Sequence, residues 1–221
     1  MILDALHEPM TFITDVILAL EGFLLGHLLF WNYSKKQTGI IQKNFFKLWA
    51  FAFLFLAFGS LLGGIYHGYK IQQIWPLTIL TIGVASFYLL LAIITQFFSS
   101  YKTILYPLAV LKLLILGIAM NYTLKFQLVI FDYLPVLLLL LGVYGYDYIK
   151  TKKLASLLVA AGVVVSLLGS LIQVMHLAPS EKFNHNDLYH VFSMVSLFLM
   201  YQGVIRQFAK QESLSVSSDV Q

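Results

Sequence analysis

The sequence predicts an all-α membrane protein: a bundle of seven transmembrane helices with its N-terminus outside and its C-terminus in the cytosol. The 221 residues are 60% hydrophobic, their mean hydropathy is +0.84, and only 11% of them are charged. Soluble domains carry about a quarter charged residues. Apolar segments of roughly 20 residues, the length that crosses the hydrocarbon core, recur along the chain. A chain of this composition requires lipid as part of its solvent.

The predicted spans cover residues 11–33, 45–67, 74–98, 103–121, 126–147, 154–177 and 187–208. Charged or turn-forming stretches separate them: "SKKQTG", "HGYK", "SSYK", "NYTLK", "YDYIKTKK" and "APSEKFNHN". None of these stretches is long enough for a soluble domain, so residues 1–210 are predicted to form a single domain. The polar segment 211–221 is predicted to be a disordered tail. Acidic Asp4 and Glu8 precede the first span, which is typical of a retained helix and not of a cleaved signal.

The first two spans each carry polar residues along one side. The first has Thr11, Thr14, Asp15 and Glu21. The second has a stripe at helical spacing, Ser60, Gly63, Gly64 and His67. Small residues let a neighbouring backbone approach closely, and polar groups facing lipid are costly. Both sides are therefore predicted to face inward.

The third, fourth and fifth spans contain few polar groups. "ASFYLLLAIITQFF" in the third is a lipid-facing or core stretch without chemistry. Lys112 falls near the middle of the fourth span, and Asp132 falls in the outer part of the fifth. Charges inside a membrane are usually paired and often functional. Lys112 and Glu21 are predicted either to form a structural ion pair or, with Asp132, to mark a path for a transported solute.

The last two spans carry the densest polar pattern. The sixth has a stripe of Gly162, Ser166, Gly169, Gln173 and His176. The seventh opens with "FNHNDLYHV", in which Asp187 and His190 lie three residues apart and share a helix face. Asn184 or Asn186 is predicted to cap this helix, with His185 beside the cap.

Basic residues predict the orientation of the bundle. Ten lie on one side, namely Lys35, Lys36, Lys43, Lys47, Lys102, Lys150, Lys152, Lys153, Arg206 and Lys210, against three on the other, Lys70, Lys125 and Lys182. Because Lys and Arg are enriched in cytoplasmic loops, the N-terminus is predicted to be outside. Five of the six histidines then reach the outer face: His7, His67, His176, His185 and His190.

These histidines, together with nearby carboxylates, predict a metal site. Neutral imidazole and carboxylate form a ligand set for zinc, and three protein ligands leave a position for water. His67 and His190 are the best-placed pair, and His185 or Asp15 is the candidate third ligand. Asp187 is a candidate ligand, general base or orienting residue. The chain has no cysteine, which excludes thiolate ligands and a cysteine nucleophile.

The layout of seven spans, with a serine and a histidine on the second and a histidine cluster on the seventh, resembles the superfamily that includes alkaline ceramidases and the progestin/adiponectin-type receptors. The resemblance implies an intramembrane zinc hydrolase with His67 and His190 as ligands and Ser60 as a site residue. The spacings differ from that superfamily, because His185 and His190 are five residues apart and the third span has no acidic residue. The stretches "LLGGIYHG" and "FNHNDLYHV" are more similar to an uncharacterised family of bacterial multi-span membrane proteins.

The sequence therefore predicts a zinc-dependent hydrolase that acts on a lipid-type amide or ester at the outer leaflet of a bacterial inner membrane. Ser60 and Asp187 are its candidate catalytic residues. Its partners are predicted to be the bilayer and a lipid-like substrate or ligand, with no nucleic acid, and its oligomeric state is left open. One alternative is a non-enzymatic sensor or receptor whose outer-face histidines titrate or bind a ligand. Another is a transporter of small solutes or ions.

Overall fold

The computed structural model describes residues 6–35 and 39–208, and every long element in it is a helix. The helices are α1 (Pro9–Leu28), α2 (Ile40–Tyr69), α3 (Trp75–Phe97), α4 (Lys102–Ala119), α5 (Phe126–Thr151), α6 (Leu154–Val174) and α7 (His185–Arg206). A π-helical segment, Leu29–Ser34, continues α1, and short 3-10 turns precede α3 and α4. The predicted tail of residues 211–221 lies outside the described residues.

Among the described residues, seven helices are long and apolar enough to cross a membrane, which confirms the predicted number of spans and indicates an integral multi-pass membrane protein. No end of a span differs from its predicted position by more than five residues. The largest difference is at α2, which begins at Ile40, because the mixed segment 40–44 continues the helix ahead of the predicted span. α6 ends at Val174, before its predicted end, because His176 adopts a left-handed backbone conformation with φ 52°.

Close helix packing depends on residues without bulky side chains. α7 packs along α6, and α2 packs between α1 and α3. A Cβ atom on Gly162 of α6 would lie 2.8 Å from the carbonyl oxygen of Ser196 and 3.1 Å from the backbone nitrogen of Met200. The small stripe of α6 therefore packs against the backbone of α7. α4 is the least buried of the seven spans and contacts mainly α3 and α5 at the edge of the bundle.

The two ends of the bundle have different chemistry. Consecutive spans reverse direction, so the start of α2 and the ends of α5 and α7 share one end. Aromatic side chains fill it, including Phe45, Trp49, Tyr144 and Phe208. At the opposite end, here called the histidine end, α1, α3, α5 and α7 begin and α2, α4 and α6 finish. The aromatic core closes the bundle below a polar region at the histidine end.

Gly162→Ala should destabilise the protein, and Gly142→Ala is the matched control. The new methyl group at Gly162 meets the backbone of α7, and overpacking of this kind costs about 1–3 kcal/mol. Nothing lies within 4 Å of a Cβ at Gly142, so alanine there should leave stability unchanged or slightly higher. Thermal unfolding in detergent measures both. Equal midpoints for the two variants would contradict the close α6–α7 contact.

Candidate functional site

A cavity of about 430 Å³ opens at the histidine end, with walls from α1, α2, α3, α5, α6 and α7. Its floor carries buried polar side chains from three helices: Asp15 of α1, Ser60 of α2 and His190 of α7. Its walls include the apolar residues Leu18, Leu56, Ile82, Phe126 and Ile130. The cavity thus combines an apolar wall with a small polar centre, the usual composition of a ligand pocket.

A capping box fixes the start of α7, and its Asp187 side chain also forms a hydrogen bond with α1. The Asn184 side chain accepts hydrogen bonds from the backbone of Asn186 and Asp187, and Asp187 Oδ2 accepts one from the backbone nitrogen of Asn184 at 2.7 Å. Asp187 Oδ1 accepts a hydrogen bond from the Thr11 hydroxyl at 2.8 Å. Asn184 is therefore the cap, one of the two predicted positions. Asp187 is fully buried, does not line the cavity, and joins α7 to α1.

The ring of His190 is oriented by a threonine. Its Nδ1 lies 2.9 Å from the Thr14 hydroxyl oxygen, and that hydroxyl donates its only proton to the backbone carbonyl of Thr11 at 3.1 Å. With that proton engaged, the Thr14 oxygen accepts from His190, which places the ring proton on Nδ1 and leaves a lone pair on Nε2 of the neutral imidazole. A Thr14 hydroxyl that donates to Nδ1 would instead place the ring proton on Nε2.

Asp15 faces that lone pair. Its Oδ1 lies 3.3 Å from His190 Nε2 and accepts a hydrogen bond from the Ser60 hydroxyl at 2.8 Å. Its Oδ2 is buried without a hydrogen-bond partner in the part of the chain that the structure describes. Gly63 and Gly64 make room for this carboxylate, because a Cβ on Gly64 would lie 3.0 Å from Asp15 Cβ.

In the tautomer with the proton on Nδ1, this arrangement requires a proton or a metal ion between Asp15 and His190, whereas with the proton on Nε2 the ring itself donates to the carboxylate. A carboxylate oxygen and an imidazole lone pair repel each other at this distance, unless a proton or a metal ion lies between them. Zinc bonds of about 2.0–2.1 Å in a tetrahedral site place ligand atoms about 3.3 Å apart. The observed separation of the two atoms is 3.3 Å. The donor atoms and the unpartnered Oδ2 therefore fit a zinc ion.

His67 has the same internal arrangement as His190. Its Nδ1 lies 2.9 Å from Glu8 Oε2, so the ring donates to a carboxylate and Nε2 is left for the cavity. Carboxylate–histidine pairs of this kind orient metal ligands. Lys70 also pairs with Glu8. Burial raises the pKa of Glu8, but the hydrogen bond from Lys70 and the charges of His67 and Lys70 outweigh burial and hold that pKa below its ordinary value.

The remaining histidines lie away from the polar floor. His185 is the first residue of α7, and its Nε2 lies 3.3 Å from His176 Nδ1 at the exposed rim of the cavity. His7 is exposed, and its backbone nitrogen donates to the carbonyl of Gly68. His27 stacks on Trp31 towards the aromatic end. Of the two candidate third ligands, Asp15 is therefore the one beside His190.

No three His, Asp or Glu side chains within residues 6–35 and 39–208 surround a single point closely enough to hold a metal ion in this conformation. Asp15 and His190 already converge, and His67 lines the same cavity. Coordination by all three would require the His67 side chain to move towards the other two.

The intramembrane charges pair differently from the prediction. Lys112 does not contact Glu21; its ammonium lies 2.7 Å from Asp132 Oδ1 and donates to the Ser86 hydroxyl at 3.0 Å. The reason is the position of α4, which packs mainly against α3 and α5. Glu21 is half-exposed, whereas Thr11, Thr14 and Asp15 are buried, so it does not belong to the inward side of α1.

The roles of two polar residues of the site, Thr14 and Glu8, were not predicted from the sequence. Thr14 sets the tautomer of His190, and Glu8 orients His67. Thr14 does share a helix face with Thr11, which is a weak signal. Glu8 lies just before the first span, where a carboxylate is usually interpreted as the cap of the helix.

Residues 10–208 match the profile of a family described as a family of unknown function (DUF6962), and the chain belongs to that family. No curated protein and no solved structure matches the chain.

Asp187→Ala should lower the thermal midpoint strongly. The substitution removes half of the capping box and leaves the Thr11 hydroxyl and the Asn184 backbone nitrogen without their acceptor. Buried groups left unpaired cost about 1–3 kcal/mol each. Glu181→Ala, at an exposed position three residues before the cap, is the control and should change little. A stable Asp187→Ala protein would contradict its joining role.

Stability should fall in acid through Glu8. Its folded-state pKa is lowered, so its contribution is present above the unfolded pKa of about 4.3 and is lost as pH falls through the folded value. Thermal midpoints of wild type and Glu8→Gln should differ at neutral pH and converge in acid. A gap that persists unchanged down to the lowest pH at which the protein folds would show that Glu8 ionisation contributes nothing.

Proposed function

We propose that the chain is a zinc-dependent intramembrane hydrolase that acts on a lipid-type amide or ester. The observation that carries the proposal is the set of hydrogen bonds to the two histidines. Oxygen partners occupy Nδ1 of both His67 and His190, so both Nε2 atoms are free at one cavity beside the carboxylate of Asp15. Catalytic zinc sites commonly combine three such ligands with one open position.

His67, His190 and Asp15 would hold the ion, and His185 would remain at the rim. When bound, zinc would supply an acidified water and a Lewis acid for a carbonyl group. Thr14 and Glu8 fix the ring orientations, and Ser60 holds the Asp15 carboxylate in place. Asp187 acts through the helix start that carries His190 and not as a base, because both of its oxygens already accept hydrogen bonds.

The walls of the cavity favour a lipid-like substrate. Leucine, isoleucine and phenylalanine side chains surround the polar floor, so they would accept an acyl chain while the floor receives its polar linkage. A substrate of this kind would reach the cavity from the bilayer. With the N-terminus outside, as the ten-to-three distribution of basic residues favours, the site would face the outer leaflet of a bacterial inner membrane.

A proton-responsive receptor is the second candidate, and the same contact favours it. A proton between Asp15 and His190 would satisfy the pair as a metal ion would. Loss of that proton would leave two repelling acceptors in the core and would push α1 and α7 apart. The two candidates share a site and differ in the cation that occupies it.

The zinc content of the purified protein distinguishes the hydrolase from the receptor. Purified wild type, incubated with zinc and desalted, should retain one zinc per chain by mass spectrometry, and His27→Ala should match it because His27 lies at the other end of α1. His67→Ala and His190→Ala should lose the ion. Zinc loaded equally by wild type and both variants, or by none of them, would overturn the metal site. If neither wild type nor the variants bind zinc, but His190→Ala lowers the thermal midpoint, the receptor would be the remaining candidate.

Thr14→Val tests the orienting hydrogen bond without removing a ligand. Valine has the shape of threonine but cannot accept from His190 Nδ1. Loss of such orienting partners typically lowers metal affinity about 10–100-fold. Zinc titration with a competing chelator measures the change, and Thr78→Val, at a position of α3 that lines the same cavity, is the control. Unchanged affinity in Thr14→Val would show that His190 is not held by this bond when zinc binds.

A further inference from the structure

A second cavity of about 430 Å³ lies between α3, α4 and α5, apart from the proposed metal site. We call it the α4–α5 groove and define it by Leu108, Leu111, Lys112, Phe131, Asp132 and Leu139. α5 separates it from the first cavity, since Gln127 and Ile130 face that cavity whereas Phe131 and Asp132 face the groove. α4 contacts α5 at few points, so the groove is open along the side of the bundle that meets lipid.

The only charged residues in the groove form an ion pair with one unused acceptor. Lys112 donates to Asp132 Oδ1 at 2.7 Å and to the Ser86 hydroxyl at 3.0 Å. The Asp132 side chain is 7% exposed, and its Oδ2 has no hydrogen-bond partner among the residues that the structure describes. A buried carboxylate oxygen without a donor is costly, most of all in a membrane.

Pro135 adds a second acceptor beside the first. It lies inside α5 and lines the groove. Because proline has no N–H, the carbonyl of Phe131, four residues earlier, loses its helical donor. Asp132, with its unpartnered carboxylate oxygen, and Phe131, whose carbonyl receives no hydrogen bond from Pro135, are therefore neighbours in the wall of the groove.

Charge and depth restrict what can satisfy these acceptors. The ion pair is already neutral, so the missing group is an uncharged hydrogen-bond donor. Asp132 lies six residues into α5, about 9 Å from the end of that helix. The groove continues from Leu128 to Leu139, about 16 Å along the helix towards the middle of the bilayer. A hydroxyl group at the depth of Asp132 with a hydrocarbon chain along the leucines matches both restrictions.

We propose that the α4–α5 groove binds a neutral lipid with a free hydroxyl group, of the diacylglycerol class. Oδ2 is itself buried, so the Asp132 side chain would turn to accept the hydroxyl on this oxygen, and one acyl chain lies along Leu108, Leu111 and Leu139. The inference does not rest on the proposed hydrolase, because it uses a different cavity and different residues.

Photo-crosslinking of the whole chain in phospholipid nanodiscs tests the proposal. The probe is a diacylglycerol with a diazirine in one acyl chain, and mass spectrometry maps the labelled residues. Labels should concentrate on Leu108, Leu111 and Leu139 and should fall at least ten-fold when unlabelled diacylglycerol is added. Leu114 and Ile118 of α4 are exposed but lie outside the groove, so they report ordinary lipid contact.

The double variant Lys112→Leu/Asp132→Leu removes both charged side chains of the groove, and with them the proposed acceptor for the hydroxyl group. Replacing both members of a buried ion pair by apolar residues is often neutral for stability, so this variant should fold, and thermal unfolding checks that it does. Groove labelling by diacylglycerol should drop to the level at Leu114. A matched fatty-acid or phosphatidylcholine probe should label wild type only at that background level.

Three results would overturn the proposal. The first is an absence of groove labelling above background, which would leave water as the donor. The second is labelling that survives in the folded double variant, which would mean that the groove holds hydrocarbon without recognising a hydroxyl. The third is stronger labelling by the fatty-acid or phosphatidylcholine probe, which would show that the groove selects an anionic or bulky head group.

Discussion

The contact between His190 and Asp15 governs the polar half of this bundle. When the Thr14 hydroxyl donates to the Thr11 carbonyl, its oxygen accepts a hydrogen bond from His190 Nδ1, which leaves the Nε2 lone pair 3.3 Å from a carboxylate oxygen. Two acceptors at that distance in a buried site need a cation. The rest of the site serves this contact: Ser60 holds the carboxylate, and the capping box places the first turn of α7 against α1.

Glycines at the helix interfaces make the contact between His190 and Asp15 possible. Gly63 and Gly64 let α2 approach Asp15, and Gly162 and Gly169 let α6 approach α7. In a membrane, where apolar surface gains nothing by leaving lipid, close backbone approach and hydrogen bonds between helices hold a bundle together. The aromatic core at the other end is tightly filled, so the polar centre is open only at the histidine end.

Hydropathy was sufficient to predict all seven spans, since a chain that crosses lipid must carry one apolar segment per crossing. Local rules also gave Asn184 as one of two candidate caps, and they predicted the shared face of Asp187 and His190. Contacts between helices were not predictable, because they depend on how each helix is rotated and on which helices are neighbours. For this reason one of the two predicted alternatives paired Lys112 with Glu21, whereas α4 lies beside α5 and its lysine contacts Asp132. Glu8 was missed as a site residue for the same reason, since its partner is 59 positions away.

Nitrogen-15 NMR of histidine-labelled protein in bilayers, before and after zinc is added, tests the assignment of the ring nitrogens most directly. The account predicts that His67 and His190 carry the proton on Nδ1, that zinc shifts their Nε2 resonances, and that His27 does not respond. A zinc response at Nδ1 of His190 would contradict the orientation by Thr14. Unchanged Nε2 resonances at saturating zinc would contradict the metal site, and a response to pH alone would identify a proton as the cation between Asp15 and His190.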